Sequence, residues 1–112
     1  MAIVVGVGMV PFGRHPDKTV ADLGTGAVLA ALADAGLPWK AAEVMHCGAA
    51  GAGLTPGTRI GAQLGLTGIP ITNIDNASAS GSSAFRLACR DVDSGAVDIA
   101  LAVGVGKFGR TL

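Results

Sequence analysis

The sequence predicts an α/β domain with a mostly parallel sheet in the order β-α-β-α-β-α-β. Three observations support this. Short apolar runs rich in β-branched residues are bounded by glycine, as strands buried on both faces are. They alternate with longer segments whose apolar residues recur at spacings of three and four. The chain has 112 residues, which suits a single domain spanning 1–112. Strands that alternate with helices pair in parallel through right-handed crossovers.

The first element is Ile3-Val4-Val5-Gly6-Val7-Gly8, expected as a buried strand. Pro11, Gly13 and Pro16 make Met9 to Asp17 a loop. A helix follows from Thr19 or Val20 to Ala35, with Val20, Leu23, Ala27, Ala30 and Ala31 along one side. Thr19 caps it, Asp22 supplies a weaker form of the capping box, and Gly36 stops it. Gly24 and Gly26 inside this helix each cost roughly 1 kcal/mol relative to alanine, through either close packing or poor optimisation.

A second strand is expected over Val44–Cys47, then a Gly/Ala/Thr/Pro loop to Gly57 and a short helix over Arg59–Leu66. A third strand covers Ile69–Ile74. A third helix runs from Ala77 or Ser78 to Ser94 with Gly95 as its stop, and a last strand covers Val97–Val103. The N-terminal half of the third helix is almost entirely Ala, Ser and Gly. Helix propensity does not explain that composition, whereas close approach of neighbouring backbones does, so this helix is expected to lie between layers.

Eight basic and eight acidic residues leave no net charge, which argues against a nucleic-acid binder. No apolar run reaches the ~18 residues of a membrane span, and the N-terminus reads as a strand rather than a signal peptide. Cys47 and Cys89 form neither a disulfide framework nor a metal-ligand spacing, so a reducing, cytoplasmic setting is expected with no metal. Two values stand out. Charged residues are only 14% of the chain, against about 25% in typical soluble chains, and there are 18 glycines where the ~7% norm gives fewer than half as many. A small domain exposes proportionally more surface and should carry more charge, so some of this surface is expected to be covered by something else.

Chemistry is expected where the third strand gives way to the third helix, at Asn73 to Phe85. Ligands of open parallel sheets bind at the carboxyl ends of strands, and a helix N-terminus stabilises a thiolate, an oxyanion or a phosphate. A Ser-rich cap without chemistry is the plainer alternative.

The segment Asn76-Ala77-Ser78-Ala79-Ser80-Gly81-Ser82-Ser83-Ala84 resembles the nucleophile motif of the thiolase superfamily, Asn-Ala-Cys-Ala-Ser-Gly-Ser-Ser-Ala, in its sterol-carrier-protein-type branch. Matches to that family continue along the chain. They include Ile3 to Gly8 with Phe12-Gly13-Arg14, Ala33 to Leu37, Ala62 to Leu66, and Asp98 to Gly104. The resemblance implies the N-terminal half of a five-layer αβαβα fold, with the nucleophile helix in the central layer. It implies an acyl-CoA acyltransferase of lipid and fatty-acid metabolism, working by Claisen condensation or thiolytic cleavage. Coenzyme A thioesters would be substrates, with no further cofactor. Partners would be a second copy in a homo-oligomer or a complementing C-terminal half.

Two departures from the family pattern matter. Ser78 stands where the family has its nucleophilic cysteine, and a serine hydroxyl needs a base of its own to react near neutral pH. Ser78 is therefore read as an engineered trap, a natural loss, or a change toward retro-aldol chemistry without an acyl-enzyme. The second departure is length. The histidine, second cysteine and CoA-binding loops of the family's C-terminal portion have no counterpart here, so the chain is expected to be incomplete and its own catalysis stays open. Gly106 before Lys107, where relatives commonly have Glu, is a smaller deviation.

Other candidates are weaker. Gly6-Val7-Gly8 followed by Pro11 fails the GxGxxG pattern. His46 and Cys47 are neighbours on a strand and point to opposite faces, so they form no dyad. Cys47 and Cys89 are expected in the core, and His15 in solvent. Arg59 suits a surface helix as well as a phosphate, and Lys107 with Arg110 is too sparse for a basic patch.

The low charge leads to a first prediction. In size-exclusion chromatography with light scattering the chain should elute above its 11.0 kDa monomer mass, and a monodisperse monomer would contradict the expectation of a covered surface.

Overall fold

The computed structural model describes residues 1–108, so Arg110 lies outside the described residues. Helix α1 spans Val20–Ala35, followed by a 3-10 turn over Trp39–Ala41. Strand β1 (Val44–Gly48), helix α2 (Pro56–Leu64), strand β2 (Ile71–Ile74), helix α3 (Ser80–Asp93) and strand β3 (Ala100–Gly104) complete the order. The sheet is parallel throughout, with β1 central in the order β2-β1-β3. His46 sits beside Thr72 and Ala102, and Gly48 beside Ile74 and Gly104.

The start of α1 is set locally. Thr19 Oγ1 accepts from the Asp22 N–H at 3.1 Å, and Asp22 Oδ2 accepts from the Thr19 N–H at 2.8 Å, closing the capping box. The Thr19 backbone N–H, helped by the Gln63 amide, holds the Asp22 carboxyl below its ordinary pKa. The helix ends at Gly36 in the left-handed conformation, φ 70°, while the Leu37 N–H reaches back to Leu32 O.

Strand alternation divides the structure into layers. Met45 and Cys47 join Val28, Leu32, Ile60 and Val103 in the core under α1 and α2. Val44, His46 and Gly48 face the opposite side, with Ala100, Ala102 and Gly104 beside them in register, and α3 packs there. The glycines of α1 are there for close packing. A Cβ on Gly24 would overlap the Ile60 side chain, and one on Gly26 would sit 3.0 Å from Val10.

Four expectations need correction. The segment Ile3 to Gly8 forms no ladder, leaving three strands among the described residues instead of four. It lies against α1, where Gly6 and Gly8 meet the helix backbone. Side chains take N–H groups in it and just before it: Val7 donates to Asp34 Oδ2 at 2.9 Å, and the preceding Ala2 to Asp93 Oδ1. A cleft of about 360 Å³ is lined by this segment, by β3 and by α3, and Ile3, Val4, Val5 and Val7 are exposed rather than buried.

The second correction concerns α3, which is covered on one face only. Ser80, Ala84 and Ala88 are buried, whereas Phe85 stays exposed. Third, Cys89 is half-buried and lines the cleft rather than the core. Fourth, several boundaries shift. Helix α2 begins at Pro56, which suits a first helical turn, while β2 and β3 begin at Ile71 and Ala100, later than expected.

The tightest contact lies between α3 and the sheet. A Cβ on Gly48 would strike the backbone carbonyl of Ser80 and come within 2.7 Å of Gly81 N. Gly48→Ala should therefore lower the unfolding free energy by about 2 kcal/mol or more in urea titration. An unchanged midpoint would show that the contact is dispensable.

Candidate functional site

The site is the turn that joins β2 to α3. Parallel strand β2 ends at Ile74 beside Gly48, at the carboxyl end of the sheet. Asp75 then accepts the Ala77 N–H on Oδ1 at 3.1 Å. The Asn76 N–H donates to Ser80 Oγ at 2.8 Å, and Ser80 Oγ donates to Ala77 O at 2.7 Å. The Ala79 and Ser80 N–H groups bond back to Asn76 O and Ala77 O at 3.0 and 3.1 Å. Asn76 Nδ2 donates to Ser83 Oγ at 3.1 Å.

This mesh holds Ala77 at φ +49°, a left-handed conformation that costs a residue with a Cβ roughly 1–2 kcal/mol. Strain of this kind persists only where several bonds over-determine the backbone, and here they do. The outcome is an elbow that carries Ser78 outward. Ser78 is exposed, and its hydroxyl has no hydrogen bond to any described residue. Ser80 and Ser83, by contrast, spend theirs inside the turn.

The position of Ser78 differs from the expectation that α3 begins at Ala77 or Ser78. The helix begins at Ser80 with Ala79 as its cap, so Ser78 precedes the first turn. Residue propensity favours an earlier start, because alanine is a good helix former. The left-handed Ala77 forbids it.

No imidazole attends Ser78. His46 bonds Asp91 Oδ2 through Nε2 at 2.6 Å, on the face away from Cys47 as strand alternation requires. His15 Nε2 meets Pro11 O at 2.8 Å and the ring is half-buried in its loop. Arg59 is exposed on α2. Lys107 Nζ bonds the carbonyl oxygens of His15 and Lys18, tying the first loop to the segment after β3. A groove of about 740 Å³ opens between that loop and Gly104 to Phe108, lined among others by Phe12 and Arg14. Gly104 in turn abuts Gly81 in the first turn of α3, so groove and elbow share one end of the sheet.

Among the described residues no cluster of His, Cys, Asp and Glu could hold a metal ion, and no helix is long and apolar enough to cross a membrane. Cys47 is fully buried, and burial pushes its thiol up to about 11. The run Asn73 to Phe85 does end a parallel strand and open a helix, as the sequence predicts. Sequence reasoning missed the left-handed Ala77 and the His46–Asp91 pair. The only advance signal for the latter was a histidine on an otherwise apolar strand.

Residues 2–111 match the family model described as thiolase, N-terminal domain. Sterol carrier protein 2 of Gallus gallus is 41% identical over 110 residues, covering 96% of this chain and 20% of the relative. Acetyl-CoA acetyltransferase of Methanothermobacter thermautotrophicus is 38% identical over 110 residues, covering 94% of this chain and 29% of the relative. The chain thus spans less than a third of the length of either. Among solved structures, the Ltp2-ChsH2(DUF35) aldolase superposes with a TM-score of 0.68 at 21% identity, covering 83% of this chain and 24% of that one. The 3-oxoacyl-[acyl-carrier-protein] synthase III of Aquifex aeolicus gives 0.65 at 22%, covering 70% and 27%. At these identities the two structures establish the fold.

The two thiols should separate cleanly in labelling. At pH 8 a maleimide should modify Cys89 at least tenfold faster than Cys47, which is buried and almost wholly protonated. Equal rates by peptide mass spectrometry would contradict the burial of Cys47.

Proposed function

The chain belongs to the thiolase family through its N-terminal domain, and from that premise we propose that it is the N-terminal part of an acyl-CoA-handling enzyme of thiolase type. Ser78 occupies the nucleophile position. The observation that carries this reading is the strained Ala77 elbow, which presents residue 78 to solvent ahead of a helix N-terminus. Coenzyme A thioesters are the proposed substrates. A second copy or a complementing C-terminal half is the proposed partner. A cytoplasmic setting fits the two free thiols.

The chemistry follows from the residue at 78. A thiolate there would attack the thioester carbonyl, form an acyl-thioester with the protein and release coenzyme A as its thiolate. Charge developing on the carbonyl oxygen would be stabilised by backbone N–H groups at the elbow and the positive end of α3. A serine needs a base to give up its proton, and none is hydrogen-bonded to Ser78 among the described residues. The chain alone is therefore proposed to lack thiolase turnover.

The same absence of a base favours a second reading, an acyl-CoA retro-aldolase in which residue 78 forms no covalent bond. It also fits a third, a non-catalytic subunit that binds a partner chain. A ketone or aldehyde product formed without consumption of coenzyme A would identify the lyase. A stable complex with a second chain and no product would identify the subunit.

The test uses Ser78→Cys, in the chain and in a form carrying a C-terminal half. Incubated with acetyl-CoA, the variant should show acetylation at residue 78 by mass spectrometry. The unaltered chain should release no acetyl-CoA from acetoacetyl-CoA and coenzyme A. Absence of acylation in the variant, or clear turnover by the unaltered chain, would overturn the reading.

A further inference from the structure

The pair of buried His46 and half-buried Asp91 is not explained by acyl transfer. His46 lies at the centre of β1, on the face that otherwise presents Val44, Gly48, Ala100, Ala102 and Gly104 to α3. Its side chain is 7% exposed and Nε2 lies 2.6 Å from Asp91 Oδ2, in the last turn of α3. Its Nδ1 is buried with no hydrogen-bond partner among the described residues. A polar ring in such a place is costly unless what it holds matters, because the facing positions would pack well as small apolar residues.

We propose that His46 and Asp91 are a positioning pair for the Ser78 elbow, with Nε2 carrying the proton that faces the carboxylate. The geometry selects that proton. Were it on Nδ1 alone, a buried N–H would lack an acceptor, and Nε2 would turn its lone pair toward the carboxylate oxygen.

Helix α3 is then held at both ends. Its first turn rests on Gly48 and Gly104, where glycine permits the contact, and its hydrogen bonds run to Asn76, Ala77 and Ala79 of the elbow rather than to the sheet. Its last turn is tied to β1 by the His46–Asp91 bond, and Asp91 O accepts from Ser94 Oγ and from the N–H of Ala96. A rigid helix passes the constraint along its axis. With the last turn fixed, the first turn keeps its register over Gly48, and the bonds among Asn76, Ala77 and Ser80 stay closed. His46 acts through α3 and touches no reacting group.

The importance of the elbow rests on the thiolase-type reading, but the test reads its geometry without any substrate. Amide hydrogen exchange would be followed at Ala79, Ser80 and Ser83, whose N–H groups are bonded within the turn, with the amides of α1 as reference. His46→Leu should speed exchange at the three elbow amides about tenfold and leave α1 within twofold. His46→Gln, which keeps an N–H donor, should restore most of the protection. Nitrogen-15 spectra of the imidazole at pH 8 should show a protonated Nε2 and a bare Nδ1. Should His46→Leu fail to fold, Asp91→Asn gives the same reading, with a threefold or greater rise at the elbow. Unchanged elbow exchange, an equal rise in α1, or a proton on Nδ1 alone would overturn the proposal.

Discussion

The backbone of α3 crosses the carboxyl ends of β1 and β3 closer than any side chain allows, and most of the fold is arranged around that crossing. Gly48 has no room for a Cβ against the Ser80 carbonyl, and a Cβ on Gly104 would lie 3.3 Å from Gly81 Cα. The small residues follow from it. Ser80, Ala84 and Ala88 are the buried residues of α3, on the face that meets the sheet. Larger residues there would lift the helix away from the sheet, and the elbow with it. A helix rich in serine and glycine has poor propensity of its own, so its place in the structure comes from this contact.

The elbow is the local expression of the same constraint. With Ser80 pinned over Gly48, the chain has only five residues between Ile74 and Ser80 in which to turn from strand to helix. Left-handed Ala77 makes the turn possible, and the backbone and side-chain bonds around it hold the strained backbone in place. Exposure of Ser78 is the consequence. Close packing below, rather than the side chain of residue 78, sets the geometry of the turn.

Features that depend on neighbours in sequence were legible before the structure. The Thr19–Asp22 box spans four residues and the Gly36 stop one, and both stand where the pattern puts them. The junction of β2 and α3, a contiguous run, is legible in the same way. Features that depend on tertiary contact were not legible. Ile3 to Gly8 has the composition of a buried strand, yet a strand exists only where a ladder partner lies beside it, and the Val7 N–H of this segment reaches Asp34 instead. Asp91 and His46 are 45 positions apart, so no periodicity links them. The start of α3 was misplaced because propensity at Ala77 and Ser78 gives no sign of the crossing that sets its backbone.

The glycine excess and the charge deficit now separate into different causes. Several glycines, among them Gly6, Gly8, Gly24, Gly48 and Gly57, lie where a Cβ would meet another atom at less than 3 Å, so they measure how tightly the layers approach. The scarcity of charge belongs to the outside. Ile3, Val4, Val5, Val7 and Phe85 are exposed, and all line the cleft beside β3. A cleft with that lining costs hydrophobic free energy at about 25 cal/mol for each Å² of apolar surface left in water. Charged residues there would lower that cost for an isolated domain, but would obstruct any element that packs into it. The sequence keeps the cleft apolar, which favours packing over solvation.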